Sequence, residues 1–325
     1  MKVAIVGCGL IGQKRAKTLK NCHLIACVDQ LREKAENLAK DYPGCTAFTD
    51  WREVIHRSDV QIVIISTLHS SLAEIALGAV SAGKHVLIEK PAGRKSIELE
   101  PVMKAAEKTG SLVRVGFNHR YHRAFRKARE LVDSDALGEL MFVRARYGHG
   151  GRIGYDKEWR AQPELSGGGE LIDQGVHLID LARWFLGDFS EVHGFAHTHF
   201  WNMPVDDNGF LLLKTLKKKV AFLHASCTEW KNLFSFEVYG KLGKIDINGL
   251  GGSYGTEKIS FYKMLPEMGP PETYAWEYPM ADDSWEFELA EFLDDIQQQR
   301  QPSVSLHDAH AALKIVEEVY RLSSL

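Results

Sequence analysis

The first twelve residues constrain the fold more than any other stretch. Val3-Ala4-Ile5-Val6 is a short apolar run that suits a strand buried on both faces. It leads into Gly7-Cys8-Gly9-Leu10-Ile11-Gly12, a G-x-G-x-x-G turn, and a helical pattern follows over 13–19. Gly7 permits the tight turn, Gly9 lets the backbone approach a pyrophosphate, and Gly12 lets the helix pack close to the strand. The turn, including Leu10 and Ile11, then presents helix N-terminal N–H groups and the positive end of a dipole to the phosphates. A second apolar run, Leu24 to Val28, ends in Asp29. That acid lies ~20 residues beyond the glycines, where a carboxylate accepts hydrogen bonds from ribose hydroxyls. The set predicts a bound dinucleotide. Asp29 favours NAD by repelling a 2′-phosphate, while the nearby Arg32 leaves NADP open.

The chain has 325 residues, enough for two domains. Its formal net charge of −3 gives no reason to expect a nucleic-acid or anionic-membrane partner. No apolar stretch is long enough to span a bilayer. The apolar start lacks the organisation of a signal peptide, being broken by three glycines and followed by Lys14, Arg15 and Lys17. The cysteines (8, 22, 27, 45 and 227) are odd in number and lack metal-ligand spacing, which predicts reduced thiols in a cytoplasm and no bound metal.

Over residues 1–120, β-branched runs alternate with helical patterns. This predicts an α/β domain built as a doubly wound parallel sheet of the Rossmann type. The run 61–65 ends in Ser66-Thr67-Leu68-His69, and 85–88 ends in Glu89-Lys90-Pro91; both places are at the sheet edge where ligands bind in such folds. Thr67, His69, Glu89 and Lys90 therefore join the cofactor candidates, with Asn118 after the last strand. Residues 121–325 read as a second α/β domain for substrate and oligomerisation. Alternating runs at 191–199, 209–215, 220–228, 234–239 and 244–247 predict an open, mainly antiparallel sheet. Prolines 266, 270, 271 and 279 predict an irregular loop, and two helices, at 285–299 and 307–322, close the chain. One exposed sheet face, chiefly strands 191–228, predicts a homodimer or homotetramer.

Two stretches carry reaction chemistry. Lys90 stands at a strand end, between an acid and a proline whose preceding bond can be cis. There it either polarises a carbonyl or substrate hydroxyl, or is a surface lysine paired with Glu89. Asp173 and His177 are four apart on an apolar helix that follows Gly167-Gly168-Gly169. At that spacing Asp173 can orient the imidazole while His177 exchanges a proton with a substrate hydroxyl. The bland reading makes Glu170, Asp173, His177 and Asp180 a solvated stripe. The glycine-rich loop 149–169 and residues Asn118, Arg120, Tyr147, Trp159 and Arg160 are the substrate candidates. A further glycine cluster at 249–255 reads as a hairpin loop, or as a nest for a nucleotide-sugar diphosphate.

These motifs occur in the order seen in one family. G-x-G-x-x-G, Asp29, Gly83-Lys84-His85-Val86 before Glu89-Lys90-Pro91, Gly116-Phe117-Asn118, and Gly167-Gly168-Gly169 before Asp173-x-Gly175-x-His177 resemble the glucose-fructose oxidoreductase / inositol dehydrogenase (Gfo/Idh/MocA) family. The resemblance runs with specific motifs to about residue 190. It implies reversible NAD(P)-dependent oxidation of a secondary alcohol on a sugar, nucleotide sugar or cyclitol. By the same resemblance Lys90 is the lysine of the E-K-P motif and His177 the acid/base residue, with Asp173 as its partner. The substrate alcohol is then expected between the nicotinamide, Lys90 and His177. The chain departs from the family at Thr67-Leu68-His69-Ser70-Ser71, where a Thr-Pro-Asn with a following histidine is usual. Two other readings share the scaffold: a non-catalytic protein sensing dinucleotide and sugar, and a reductase of imines or enoates.

Overall fold

The computed structural model describes residues 1–324, which fall into two compact units. The first comprises Met1–Phe117 and Trp285–His310, the second Asn118–Ser284 and residues 311–324.

The first unit begins with β1 (Lys2–Val6), α1 (Leu10–Lys17), β2 (His23–Val28), α2 (Arg32–Ala39) and β3 (Thr46–Phe48). It continues through α3 (Trp51–Ile55), β4 (Ile62–Ile65), α4 (His69–Ser81), β5 (His85–Glu89), α5 (Glu100–Thr109) and β6 (Val113–Gly116). The strands form one parallel sheet in the order β3-β2-β1-β4-β5-β6, the doubly wound arrangement expected. Strand order reverses at β1, which places the glycine turn at the switch point where such sheets bind ligands. Val3, Ile5, Ile62, Ile64 and Leu87 are fully buried, as strands covered on both faces require.

Helix α9 (Ser284–Gln298) belongs to this unit, not to the second domain in which both closing helices were expected. The reason is apolar and ionic at once. Leu289, Phe292 and Ile296 enter the same core cluster as Val3, Ile5 and Cys27. Glu288 meets Arg15 of α1 at 2.5 Å, and Arg15 also reaches Glu89 at 2.6 Å. Arg114 of β6 makes the equivalent reach to Asp295, at 2.5 Å.

The second unit contains α6 (Arg123–Asp133), β7 (Leu140–Gly148), the short α7 (Pro163–Ser166), α8 (Val176–Leu186), β8 (Phe189–His197), β9 (Asn208–Thr215) and β10 (Val220–Ser226). It goes on through β11 (Leu233–Gly240), β12 (Gly243–Asn248), β13 (Glu257–Lys263) and β14 (Glu272–Tyr278); α10 (Leu306–Ser323) ends within it. Its eight strands run β14-β13-β12-β11-β7-β10-β9-β8, antiparallel throughout except for the parallel β7–β10 pair. β14 occupies part of the stretch expected to be an irregular loop, and β13, just before that stretch, was not expected. The alternation of Ile259 with Phe261, and of Tyr274 with Trp276, is the signal the prolines obscured. One face of the sheet buries Val143, Ala145, Leu211, Leu213, Leu223 and Phe236, and α8 packs against β7 and β10. The opposite face keeps Phe142, Phe195, Leu212 and Phe222 exposed.

Candidate functional site

In the first unit, Gly7 turns the chain at φ +94°, and a Cβ there would lie 2.5 Å from the Ser66 carbonyl oxygen. A Cβ on Gly12 would lie 2.0 Å from the Gly7 carbonyl oxygen. Both positions are closed to side chains by backbone. Gly9 differs: it is the N-cap of α1, and a Cβ there would meet nothing within 4 Å. The first turn of α1 carries no acidic residue and no side-chain cap, so its N–H groups are open to an anion. Asp29 locks the turn to β2. Its Oδ2 accepts the Cys8 N–H at 2.9 Å and its Oδ1 the Leu31 N–H at 2.9 Å. An ionised carboxylate has about four acceptor positions, so room remains for ribose hydroxyls. These residues fit a dinucleotide.

The other candidates of this unit are placed as follows. Leu10 is exposed and Ile11 half-buried at the start of α1, while Arg32 pairs with Glu36 at 2.9 Å on an exposed face. Thr67 is half-buried, its hydroxyl donating to the Leu68 carbonyl at 3.3 Å, and the buried His69 opens α4. Glu89 is held inside by Arg15, whose Nε donates to it at 2.7 Å. Lys90 itself is half-buried after β5, and the Lys90–Pro91 bond is cis.

In the second unit, the segment carrying Asp173 and His177 opens with one π-helical turn, Leu171–Gly175, before α8. Such turns are rare and concentrate at functional sites. Gly175 lets this turn lie on the sheet: a Cβ there would be 3.3 Å from Ala225 Cβ. Asp206 ties its start, accepting the Gly169 N–H at 2.8 Å, the Leu171 N–H at 2.7 Å and the Tyr320 hydroxyl at 2.7 Å. Burial raises the Asp206 carboxyl to about 6, against the pull of those donors.

Glu170, Asp173, His177 and Asp180 are all buried, so the solvated-stripe reading of this helix fails. Arg160 Nε donates to Asp173 Oδ2 at 2.8 Å, and the Asp173 charge raises the Arg160 guanidinium further. Arg160 also lies over the Trp159 ring, 4.6 Å from its centroid. The His177 ring stacks on His119, with centroids 3.7 Å apart and planes 16° from parallel. Tyr147 stands edge-on to both histidines, at 5.3 and 6.3 Å. Burial, and then Tyr254, push the Tyr147 phenol well above its ordinary range. Arg120 forks onto Asp180 at 2.8 and 2.5 Å, and Asn118 Nδ2 donates to Ser284 Oγ at 2.9 Å.

His119 and Tyr254 are the members that sequence reasoning missed. His119 lies between two residues already singled out, Asn118 and Arg120. Tyr254 arrives on the glycine cluster 249–255, with its ring 5.1 Å from that of Tyr147. That cluster joins β12 to β13, and a Cβ on Gly251 would lie 3.2 Å from an Asp282 carboxylate oxygen, a setting that suits an anion poorly. Among the described residues, no group of histidine, cysteine and acidic side chains could hold a metal ion, and no helix is long and apolar enough to cross a membrane.

Residues 1–117 match the family described as "Oxidoreductase family, NAD-binding Rossmann fold", and residues 125–246 match "GFO/IDH/MocA C-terminal domain". The chain belongs to the Gfo/Idh/MocA oxidoreductase family, and residues 1–117 are its NAD-binding Rossmann domain. It is similar to levoglucosan dehydrogenase of Pseudarthrobacter phenanthrenivorans, 30% identical over 57% of this chain and 48% of that protein. It is also similar to inositol 2-dehydrogenase of Salmonella typhimurium, 26% identical over 58% and 55% of the two chains. D-glucoside 3-dehydrogenase of Escherichia coli is 30% identical over 58% and 54%. The matched stretch thus spans about half the length of these curated relatives. In fold the chain resembles the solved levoglucosan dehydrogenase in complex with NADH and L-sorbose, at TM-score 0.88, 23% identity, and 99% and 97% coverage.

Proposed function

We propose that the chain is an NAD-dependent dehydrogenase acting on a secondary alcohol, or the matching ketone, of a sugar, nucleotide sugar or cyclitol. The observation that carries this reading is the burial of Asp173, on the turn anchored by Asp206, and of His177, in the first turn of α8. An imidazole held away from bulk water beside a positioned carboxylate suits proton exchange with a substrate oxygen. The relatives named for levoglucosan, inositol and glucosides support a polyhydroxylated substrate. Bound NAD supplies the hydride acceptor or donor. The Gly7–Gly12 turn holds its pyrophosphate and Asp29 its ribose; Asp29 makes NAD the preferred form over NADP. His177 takes or returns the hydroxyl proton, and Asp173 with Arg160 sets the local charge. Lys90 stabilises negative charge developing on the substrate oxygen. Trp159, Tyr147 and Tyr254 select the substrate, and the exposed face bearing Leu212 and Phe222 is covered by a second copy of the chain.

The test is absorbance between 320 and 400 nm with NAD and a panel of sugars, cyclitols and nucleotide sugars. A reduced-nicotinamide band should grow with one compound class. His177→Ala and Lys90→Ala should each bind NADH normally and lose turnover by ~10²–10⁴-fold. Wild-type turnover in both variants overturns the assignment. Tight NADH binding without turnover on any substrate would favour a sensor.

A further inference from the structure

Three of the five cysteines gather beside the glycine turn. Cys8 lies within it, Cys27 is on β2, and Cys45 precedes β3. All three belong to one packed cluster, in which Cys8 and Cys27 are fully buried and Cys45 is partly exposed. The Cys45 and Cys27 sulfurs are 3.5 Å apart. The register explains the approach: Cys27 pairs with Ala47, and Cys45, two residues earlier, faces the same side. A disulfide requires the sulfurs to close to ~2.05 Å, a movement of roughly 1.5 Å. The segment before β3 can supply it, because Gly44 at φ +80° has nothing within 4 Å of its Cβ position.

The chemistry of the two thiols differs. The Cys27 contact, then Arg57 and the Thr46 N–H, hold Cys45 below the ordinary thiol range despite its partial burial. Cys27 is held above it by its two thiol neighbours and by burial. Cys45 is therefore the thiol with both solvent access and thiolate character.

We propose that Cys45 and Cys27 form a peroxide-sensitive thiol pair that controls the dinucleotide turn. The Cys45 thiolate attacks a hydroperoxide oxygen, the O–O bond breaks, and Cys45 becomes a sulfenic acid while the leaving oxygen departs, once protonated, as water or an alcohol. Cys27 then attacks the sulfenic sulfur; the S–S bond forms, the S–O bond breaks, and the Cys27 proton leaves with the hydroxide as a second water. The sulfurs together lose two electrons and the peroxide gains them.

The consequence for the turn follows from its hydrogen bonds, and it rests on the dinucleotide reading above. The Cys8 thiol contacts Cys27 and donates to the Val28 carbonyl at 3.4 Å, while the Cys8 N–H donates to Asp29. Drawing Cys27 towards Cys45 disturbs the end of β2 that carries Val28 and Asp29. The disulfide should weaken NADH binding by about tenfold, the equivalent of one hydrogen bond to a charged group.

The full-length reduced protein is treated with hydrogen peroxide, digested without reductant and mapped by mass spectrometry, with NADH titrated by fluorescence in parallel. A Cys27–Cys45 linked peptide, lighter by two hydrogens, should appear together with the loss of affinity, and dithiothreitol should reverse both. Cys45→Ser should keep its affinity through peroxide treatment, whereas Cys22→Ser, a control at another partly exposed thiol, should behave as wild type. Absence of the linked peptide, or an affinity loss that persists in Cys45→Ser, overturns the proposal. If the reduced protein binds no NADH, the dinucleotide reading and the proposed control fail, and the peptide map still judges the thiol pair.

Discussion

Replacing Asp206 by asparagine sets two effects of opposite sign against each other. The carboxylate accepts three hydrogen bonds, from Gly169, Leu171 and Tyr320. An amide in its place turns one acceptor into a donor, and a buried N–H left without an acceptor costs about 1–3 kcal/mol. Against this stands the burial of the charge. The folded carboxyl is raised from 3.8 to about 6, so desolvation outweighs the donors. A folded value above the unfolded one means that the contribution to stability is fully present below pH ~4 and is lost as the pH rises through about 6. At ~1.4 kcal/mol per pH unit, that loss is about 3 kcal/mol by pH 8. Asparagine resembles the neutral acid and has no such slope. More than half of that loss has already occurred by pH 5, so Asp206→Asn should gain about 1.4 kcal/mol relative to wild type between pH 5 and pH 8. Urea unfolding followed by tryptophan fluorescence at the two pH values, compared at equal m-value, measures the swing. A variant that fares worse at pH 8 than at pH 5 would show that the hydrogen bonds outweigh desolvation, and would refute the reasoning.

Gly9→Ala should fold normally, because its Cβ meets no protein atom, yet lose NADH affinity by at least about tenfold; Gly12→Ala, whose Cβ would strike the Gly7 carbonyl, should lose both stability and binding. Isothermal titration and thermal melts separate the two cases. Arg15→Met should destabilise the first unit by about 3–5 kcal/mol, since it strands the buried Glu89 and Glu288 carboxylates, and a melt showing less than 1 kcal/mol would contradict that role. His119→Phe preserves a ring against His177 but removes its titratable nitrogens, so the pH profile of kcat/KM should shift while NADH affinity holds. Leu212→Glu, on the exposed face of β9, should lower the sedimentation coefficient of an assembled wild type towards that of a monomer.

The sequence made the parallel sheet legible because its strands are buried on both faces and read as unbroken apolar runs such as Ile62 to Ile65. The glycine turn was legible because backbone geometry demands glycine at 7 and 12. What stayed hidden depends on partners remote in the chain. Arg15 looks like one of three surface bases, and only Glu288, 273 residues away, makes it a core residue. The π-turn at Leu171–Gly175 leaves no local mark, because the apolar pattern there fits an α-helix equally well. His119 carries no periodic signal, and its position beneath His177 follows from how the chain leaves β6. Strands β13 and β14 were masked by prolines that flank them without interrupting them.

The return of α9 to the first unit bears on how the protein is made. A nascent chain that has emerged as far as Phe117 has every strand of the parallel sheet, but not Leu289, Phe292, Ile296 or Glu288, the second of the two acids that pair with Arg15. At ~5–20 residues per second, the ribosome needs roughly 10–30 seconds more to deliver them. Through that interval the earliest-synthesised unit is also an unfinished one, with an apolar flank open to solvent and Arg15 holding Glu89 alone of its two acids. Its dependence on chaperones should end only when the helix emerges, and a fragment cut after residue 117 would carry the same exposed flank permanently.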